Sequence, residues 1–384
     1  VSTRLREPLC RSTDMELLNA TKMVAGYTQG MLQDARELLV VVVKGTFNLP
    51  RQGEPARLAD EQLPLVAADL FTGEPGLSAP LYESDYAPIK PFCDIIVNGS
   101  AHAPGAQAVR QVGIGVKVGR VAQAFHVVGD RNWESRSGDL EPGIAAPFVS
   151  KAFSYDLAYG GTDRSSADES EHDAFMPNPS GIGYRKETSI ESLAGTPAPS
   201  TEERKNPIKS ASGNYLPMSL GPVARGWQSR AQYAGTYDDA WLADVFPFLP
   251  ADFDTRYFQC APEDQQTDYL RGGEEVTLVN LTPDGRRDFR VPEVSVPVIF
   301  FRQDGERIDA SPVIDTLYIE PDNERFVMTW RTHLPLKQNM FEVSQVITGQ
   351  MSRAWWRARE LGKTYYPGVA AAARSKASEL SGTT

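Results

Sequence analysis

The chain has 384 residues, enough for one large domain or two closely joined ones. Its 39 basic and 50 acidic side chains give a net charge of −11, which argues against a nucleic-acid partner because such a partner needs a basic face. No stretch reaches the roughly 20 apolar residues of a membrane span, which excludes a membrane role of that kind.

Residues 1–14 are polar and without periodicity. They read as a leader, or an added extension, ahead of Met15. Met23–Gly30 and Glu37–Leu49 read as two strands of a hairpin. The second is too continuously apolar to alternate, so both of its faces are expected to be covered. Residues 50–80 repeat Pro and Gly and read as turns. A three-stranded meander is expected over Pro91–Pro104, Ala108–Gly119 and Arg120–Trp133, with half-buried alternation through Val112, Ile114, Val116 and Val118. Pro147–Gly161 reads as a further strand ending in a glycine pair. Residues 162–212 turn Ser-, Glu-, Pro- and Gly-rich and read as a long insertion with local mobility.

The stretch Trp227–Gln266 carries Trp227, Tyr233, Tyr237, Trp241, Phe246, Phe248, Phe253, Tyr257 and Phe258, interleaved with acids and broken by Pro247 and Pro250. It is expected to be a rigid, irregular segment fixed in a core by its rings. Glu274–Leu281 and Arg287–Pro292 read as a hairpin closed by Thr282–Gly285, and further hairpins run to about Arg331. Ser344–Lys363 reads as an amphipathic helix with Val346, Met351, Trp355 and Ala358 on one face. The tail from Ala370 is expected to fray. These elements add up to a mainly β, β-rich α+β fold of packed antiparallel sheets, sandwich- or barrel-like, with long irregular loops and a C-terminal helix. The expected organisation is a β-rich domain over 15–335, with lobes 15–161 and 213–335 about the insertion 162–212. A helix and tail follow over 336–384.

Four constellations could carry chemistry. Cys93 with His102 or His126 would suit a thiol–imidazole pair, but alternation through Ile95 and Val97 reads it as a small buried hydrophobe. With Cys10 and Cys260, the three cysteines are far apart and odd in number, so they make no disulfide framework and no zinc spacing and point to a reducing compartment. His172 and Asp173, with Asp163, Asp168, Glu169 and Glu171, offer oxygen ligands without a calcium-loop order, and read as a solvated acidic loop. Asp238, Asp239, Asp252 and Asp254 on an aromatic floor would suit a carbohydrate site, and equally the caps of turns and short helices. Arg131, followed by Trp133, could clamp an anion; the plainer reading is a turn fixed by an Asp130–Arg131 pair. No catalytic, cofactor-binding or metal residue is assigned.

Several segments taken in order resemble one family. They are MELLNAT at Met15, LLVVVVKGTF at Leu38, APIKPFCDIIVNGSAHAP at Ala87, VVGDRNW at Val127, AYGGTD at Ala158 and NPSGIGY at Asn178. GTYDDAWLADVFPFLPADFD at Gly235, APEDQQ at Ala261 and GGEEVTLVNLTPDG at Gly272 complete the set. Together they resemble domain of unknown function 2169 (DUF2169), a family associated with type VI secretion, from about Met15 to Arg331. Cys93 departs from the pattern, standing where a small hydroxyl residue is expected, and the helix around Trp355 and the tail lie beyond the part that matches. The resemblance implies a cytoplasmic bacterial adaptor or chaperone rather than an enzyme. It would bind a cognate effector through a PAAR-type tip or N-terminal region and help load it onto the VgrG spike, without cofactor, nucleic acid or membrane. Trp, Tyr and Arg are favoured anchors at protein interfaces, which makes Trp227, Arg230, Tyr237, Trp241, Arg131 and Trp133 the candidate partner-binding residues. The alternative is a carbohydrate-binding or carbohydrate-active β-protein using residues 227–258.

Overall fold

Leu38–Val43 lies in the longest strand among the described residues, where β-branched and aliphatic side chains fit a pleated, fully covered surface. The structure, a computed structural model, describes residues 15–136, 138–366 and 368. The expected leader at 1–14 and the tail from Ala370 lie outside the described residues. In chain order the first strands are β1 (Glu16–Asn19), β2 (Val24–Met31), β3 (Glu37–Asn48), β4 (Cys93–Val97) and β5 (Gly99–His102). Then come β6 (Gln111–Val118), β7 (Val121–Val128), β8 (Trp133–Arg136), β9 (Asp139–Pro142) and β10 (Ser150–Phe153). The second half supplies β11 (Glu275–Val279), β12 (Arg286–Arg290), β13 (Val298–Arg302), β14 (Arg307–Ala310), β15 (Val313–Glu320), β16 (Arg325–Pro335) and β17 (Val343–Thr348). The helices are short: α1 (Gln228–Ala231), α2 (Asp239–Asp244) and α3 (Arg353–Glu360). None is long and apolar enough to cross a membrane.

The fold is mainly β, built of several packed and mostly antiparallel sheets that do not close into a barrel among the described residues. The central sheet runs β4-β15-β16-β3-β2, with the two-residue strand Gln266–Thr267 outside β4 and Arg57–Leu58 beside the end of β3. A second sheet runs β7-β6-β11-β12, with Thr201–Glu202 outside β7, and a third runs β1-β17-β13-β14. On one face of β3, Val43 and Phe47 join Ile114, Val116, Phe125 and Leu278 of the second sheet. Further along the same face, Leu39 and Val41 meet Val298, Phe300 and Val346 of the third. On the opposite face Leu38, Val40 and Val42 are covered by Leu65, Tyr86 and Ile89. Both faces of β3 are therefore buried, as its unbroken apolar run requires. Each such side chain contributes about 1.5–3 kcal/mol on leaving water.

Three expectations are corrected. The meander does not include its first strand: β4 lies in the central sheet, parallel to β15, while β5 pairs with β10. The residues of β4 are all buried, the mark of an interior strand covered on both faces, whereas β6 alternates and forms a hairpin with β7. Pro147–Gly161 is not one strand: β10 is followed by the 3₁₀ turn Tyr155–Leu157 and then by the two-residue strand Tyr159–Gly160, which pairs with Ile182–Gly183. The predicted helix from Ser344 begins nine residues later than expected. Val343, Val346, Ile347 and Thr348 are β-branched and continue the third sheet as β17, and the helix starts only where the Ser352 side chain accepts from Trp355 N. Trp355 and Trp356 then pack on Phe301 and Ile347, with the Arg359 guanidinium 3.8 Å above the Phe301 ring.

The insertion is not an open loop. Leu193, Ala198, Ile208 and Ala211 from within it pack with Trp133, Leu140, Tyr159 and Tyr215. Asp163, buried at its base, accepts from Ser165 N at 3.0 Å, Lys186 N at 3.0 Å and the Ser189 hydroxyl. Trp133→Ala removes the ring at the centre of this small core and is expected to cost about 3–5 kcal/mol. Chemical denaturation checks it, and a loss below about 1 kcal/mol would contradict the packing.

Candidate interaction surface

Asp94 on β4 has no solvent exposure. A buried carboxylate is tolerated only when paired and hydrogen-bonded. Asp94 accepts from Lys90 Nζ at 2.8 Å, Gln259 Nε2 at 2.7 Å, Cys260 N at 2.9 Å and Ala261 N at 3.2 Å. Burial alone would pull Lys90 down, but Asp94, with Cys260, Glu83 and Asp315 around it, holds the ammonium well above the ordinary lysine value. Arg230, also buried, donates to Tyr257 O at 3.0 Å, Val223 O at 3.0 Å and Glu83 at 2.5 Å. Arg225 bridges Asp69 at 2.9 Å and Glu83 at 3.0 Å. Lys44 meets Asp85 at 2.8 Å, and Arg331 meets Asp315 at 2.5 Å. Lys44, Lys90, Arg225, Arg230 and Arg331 thus face Asp69, Glu83, Asp85, Asp94 and Asp315, and the charges cancel. This network clamps residues 223–230 and 257–261 onto the central sheet.

The chain between those clamps leaves the body. It turns out at Gly235, whose φ of +82° and tight approach to Asp252 Oδ1 and Phe253 N leave no room for a side chain. It returns at Asp252, whose carboxylate accepts from Thr236 N at 2.9 Å and Thr236 Oγ1 at 2.7 Å and closes the neck. Inside the loop, the Asp238 carboxylate accepts from Trp241 N at 2.8 Å and starts α2. Trp241 Nε1 donates to Phe248 O at 3.0 Å. Tyr237 and Phe246 stand edge-on to the Trp241 ring, at 4.7 and 5.6 Å. The rings pack on one another. Tyr237 is 53%, Leu242 59%, Phe246 62% and Phe248 43% exposed. Large apolar side chains exposed together mark an interaction site on a soluble surface.

The knob is also acidic. From Thr236 to Asp252 the chain holds Asp238, Asp239, Asp244 and Asp252 and no Lys or Arg. Asp239 and Asp244 have no ion-pair partner among the described residues. Hydrogen bonds from Thr236 hold the Asp252 carboxyl below the usual range, and Arg256 does the same for Asp254. A glycosidase-type acid needs the opposite shift. Asp238 and Asp254 cap α2 and the turn Thr255–Phe258.

The six candidate anchors separate cleanly. Trp227 is buried edge-on to Tyr155, 5.2 Å between ring centres. Arg230 belongs to the buried network, Trp133 to the insertion core, and Arg131 pairs with Glu202 at 2.8 Å. These four are internal, which corrects their reading as surface anchors. Tyr237 and Trp241 are in the knob. Leu242, Phe246 and Phe248 were missed, because large apolar side chains in a dense aromatic stretch read as core; the acids among them, with no Lys or Arg from 236 to 252, were the available signal. The expected Asp130–Arg131 pair is also corrected: Asp130 meets Lys151 at 2.5 Å, since successive residues of extended chain point apart. Cys93 is buried, and burial pushes its thiol well above the ordinary value. Among the described residues no three His, Cys, Asp or Glu side chains are placed to hold a metal ion.

A family model described as an uncharacterized protein conserved in bacteria (DUF2169) matches residues 34–331, which include both the buried network and the knob. No curated protein and no solved structure matches the chain.

Asp94→Ala leaves Lys90 buried without its main partner and is expected to cost about 3–5 kcal/mol in urea unfolding; a loss under about 1 kcal/mol would contradict the role given to the network. Trp241→Ala and Phe246→Ala touch no core and are expected to change unfolding free energy by less than about 0.5–1 kcal/mol.

Proposed function

The chain belongs to the bacterial DUF2169 family, and from that premise we propose that it is a non-enzymatic cytoplasmic adaptor of type VI secretion. It binds a cognate effector, through a PAAR-type tip or N-terminal region, and helps seat it on the VgrG spike. The observation that carries this reading is the knob of residues 235–252, where exposed Tyr237, Phe246 and Phe248 stand about the half-buried Trp241 on a base closed by Asp252 and Thr236. Aromatic anchors with neighbours already fixed lose little side-chain entropy on docking, which favours affinity. The unpaired Asp239 and Asp244 favour a partner segment that is apolar and basic, and add a long-range pull to its approach.

The test is co-purification with the effector and spike proteins encoded beside this chain. A stable complex is expected, and Trp241→Ala or Phe246→Ala is expected to weaken it at least roughly tenfold, as interface hot spots do. A folded chain that ignores both partners would overturn the reading. Asp239→Asn with Asp244→Asn is expected to slow association and flatten its dependence on salt, with little change in dissociation. Stopped-flow mixing at two ionic strengths checks this, and equal salt slopes for the variant and the parent would contradict the electrostatic part.

A further inference from the structure

The sheets of this chain end in strands that are treated very differently. An unpaired edge is a template for another strand, and proteins blunt such edges by keeping them short or charged. The edge β12 carries Arg286, Arg287, Asp288 and Arg290, and the edge β14 carries Arg307 and Asp309. The edge β1 has four residues, and Gln266–Thr267 and Thr201–Glu202 have two each. β2 is different. It is eight residues long, VAGYTQGM, without a charge, and its only strand partner among the described residues is β3. Its outward backbone groups meet no other backbone group of the described chain.

One face of β2 is already occupied. A Cβ at Gly26 would meet Leu65 Cδ1 at 2.5 Å and the Tyr86 hydroxyl at 2.7 Å, and one at Gly30 would meet Pro88 Cβ at 2.9 Å. The covering loops reach the face of β2 through these glycines and leave its edge open. Tyr27 and Gln29 are exposed along it. The strand ends at Met31, and two residues on Gln33 Nε2 donates to Pro250 O at 3.1 Å and also to Ala251 O, at the foot of the knob. The open edge and the acidic aromatic knob are therefore parts of one continuous surface.

We propose that β2 is a docking edge: the partner polypeptide adds an extended segment to it as an extra antiparallel or parallel strand, with basic residues of that segment reaching Asp239 and Asp244. This rests on the adaptor reading and specifies how the partner is held. Backbone pairing supplies affinity with little demand on sequence, and the knob supplies selectivity. A second copy of this chain fits less well, because its own β2 carries no basic residue to meet those acids.

The test uses the full chain and its complex with the effector encoded beside it. Successive N–H groups of an antiparallel strand alternate between the ladder and the outside, so one of Thr28→Pro and Gln29→Pro removes an outward N–H only, which an edge strand tolerates. Circular dichroism and thermal melting identify the variant that folds. That variant is expected to bind the effector roughly tenfold or more weakly, and outward amides of Val24–Met31 are expected to exchange more slowly in the wild-type complex than in the free chain. Exchange on the wild-type chain decides the matter if neither variant folds. Unchanged exchange, or a folded proline variant that binds normally while Trp241→Ala does not, would overturn the docking edge and leave the adaptor reading standing. A stable complex that also survives Trp241→Ala and Phe246→Ala would remove the knob reading with it. A free chain that dimerises, and is made monomeric by the same proline, would assign the edge to a second copy and overturn the proposal.

Discussion

A carboxylate with no access to water sits on the central sheet, and much of the molecule is arranged to keep it there. Burying the Asp94 carboxylate is tolerable only because Lys90, the Gln259 amide and two backbone N–H groups surround it. Those four donors come from the segment before β4 and from the end of the aromatic stretch. The carboxylate therefore fixes where both cross the sheet. Arg230 and Glu83 repeat the arrangement at the other end of the stretch. Such pairs contribute little net stability compared with apolar replacements of similar volume, but breaking one partner is costly. Their consequence here is geometric: residues 223–230 and 257–261 are held in one place.

That constraint gives the knob its character. A loop carrying this much exposed apolar surface would collapse onto the body if its ends were free. Its ends are instead pinned, its neck is closed by Asp252 on Thr236, and its rings are braced by Trp241. The same stretch thus puts Trp227 and Phe253 into the interior and Tyr237, Phe246 and Phe248 outside. The acids between the outer rings keep the surface soluble and give it a sign.

Much of the fold was legible in the sequence because its signals are local. The β2–β3 hairpin, the β11–β12 hairpin with its Thr282–Gly285 turn, and β15–β16 all follow from runs of β-branched residues between turn residues. What was not legible is long-range. Nothing in Cys93–Val97 announces that it lies parallel to a strand more than 200 residues later, and Asp94 in an apolar strand gives no hint of its partners at 259–261. The split of the aromatic stretch was illegible for the same reason, since Trp227 and Phe246 have the same chemistry and differ only in what the fold brings against them. Of the six anchors, Tyr237 stands exposed and Trp241 half-buried in the knob, in the stretch from Thr236 to Asp252 that holds four acids and no Lys or Arg.

The most direct test of the central claim, that the pinned knob is where a partner docks, is site-specific photocrosslinking. A benzophenone side chain in place of Phe246 is irradiated in the presence of the effector encoded beside this chain, with the same group in place of the exposed Ile144 as the comparison. A crosslink to the effector is expected from position 246 and none from position 144. Crosslinks from 144 alone, with 246 silent in a complex that still forms, would place the partner elsewhere and contradict that claim.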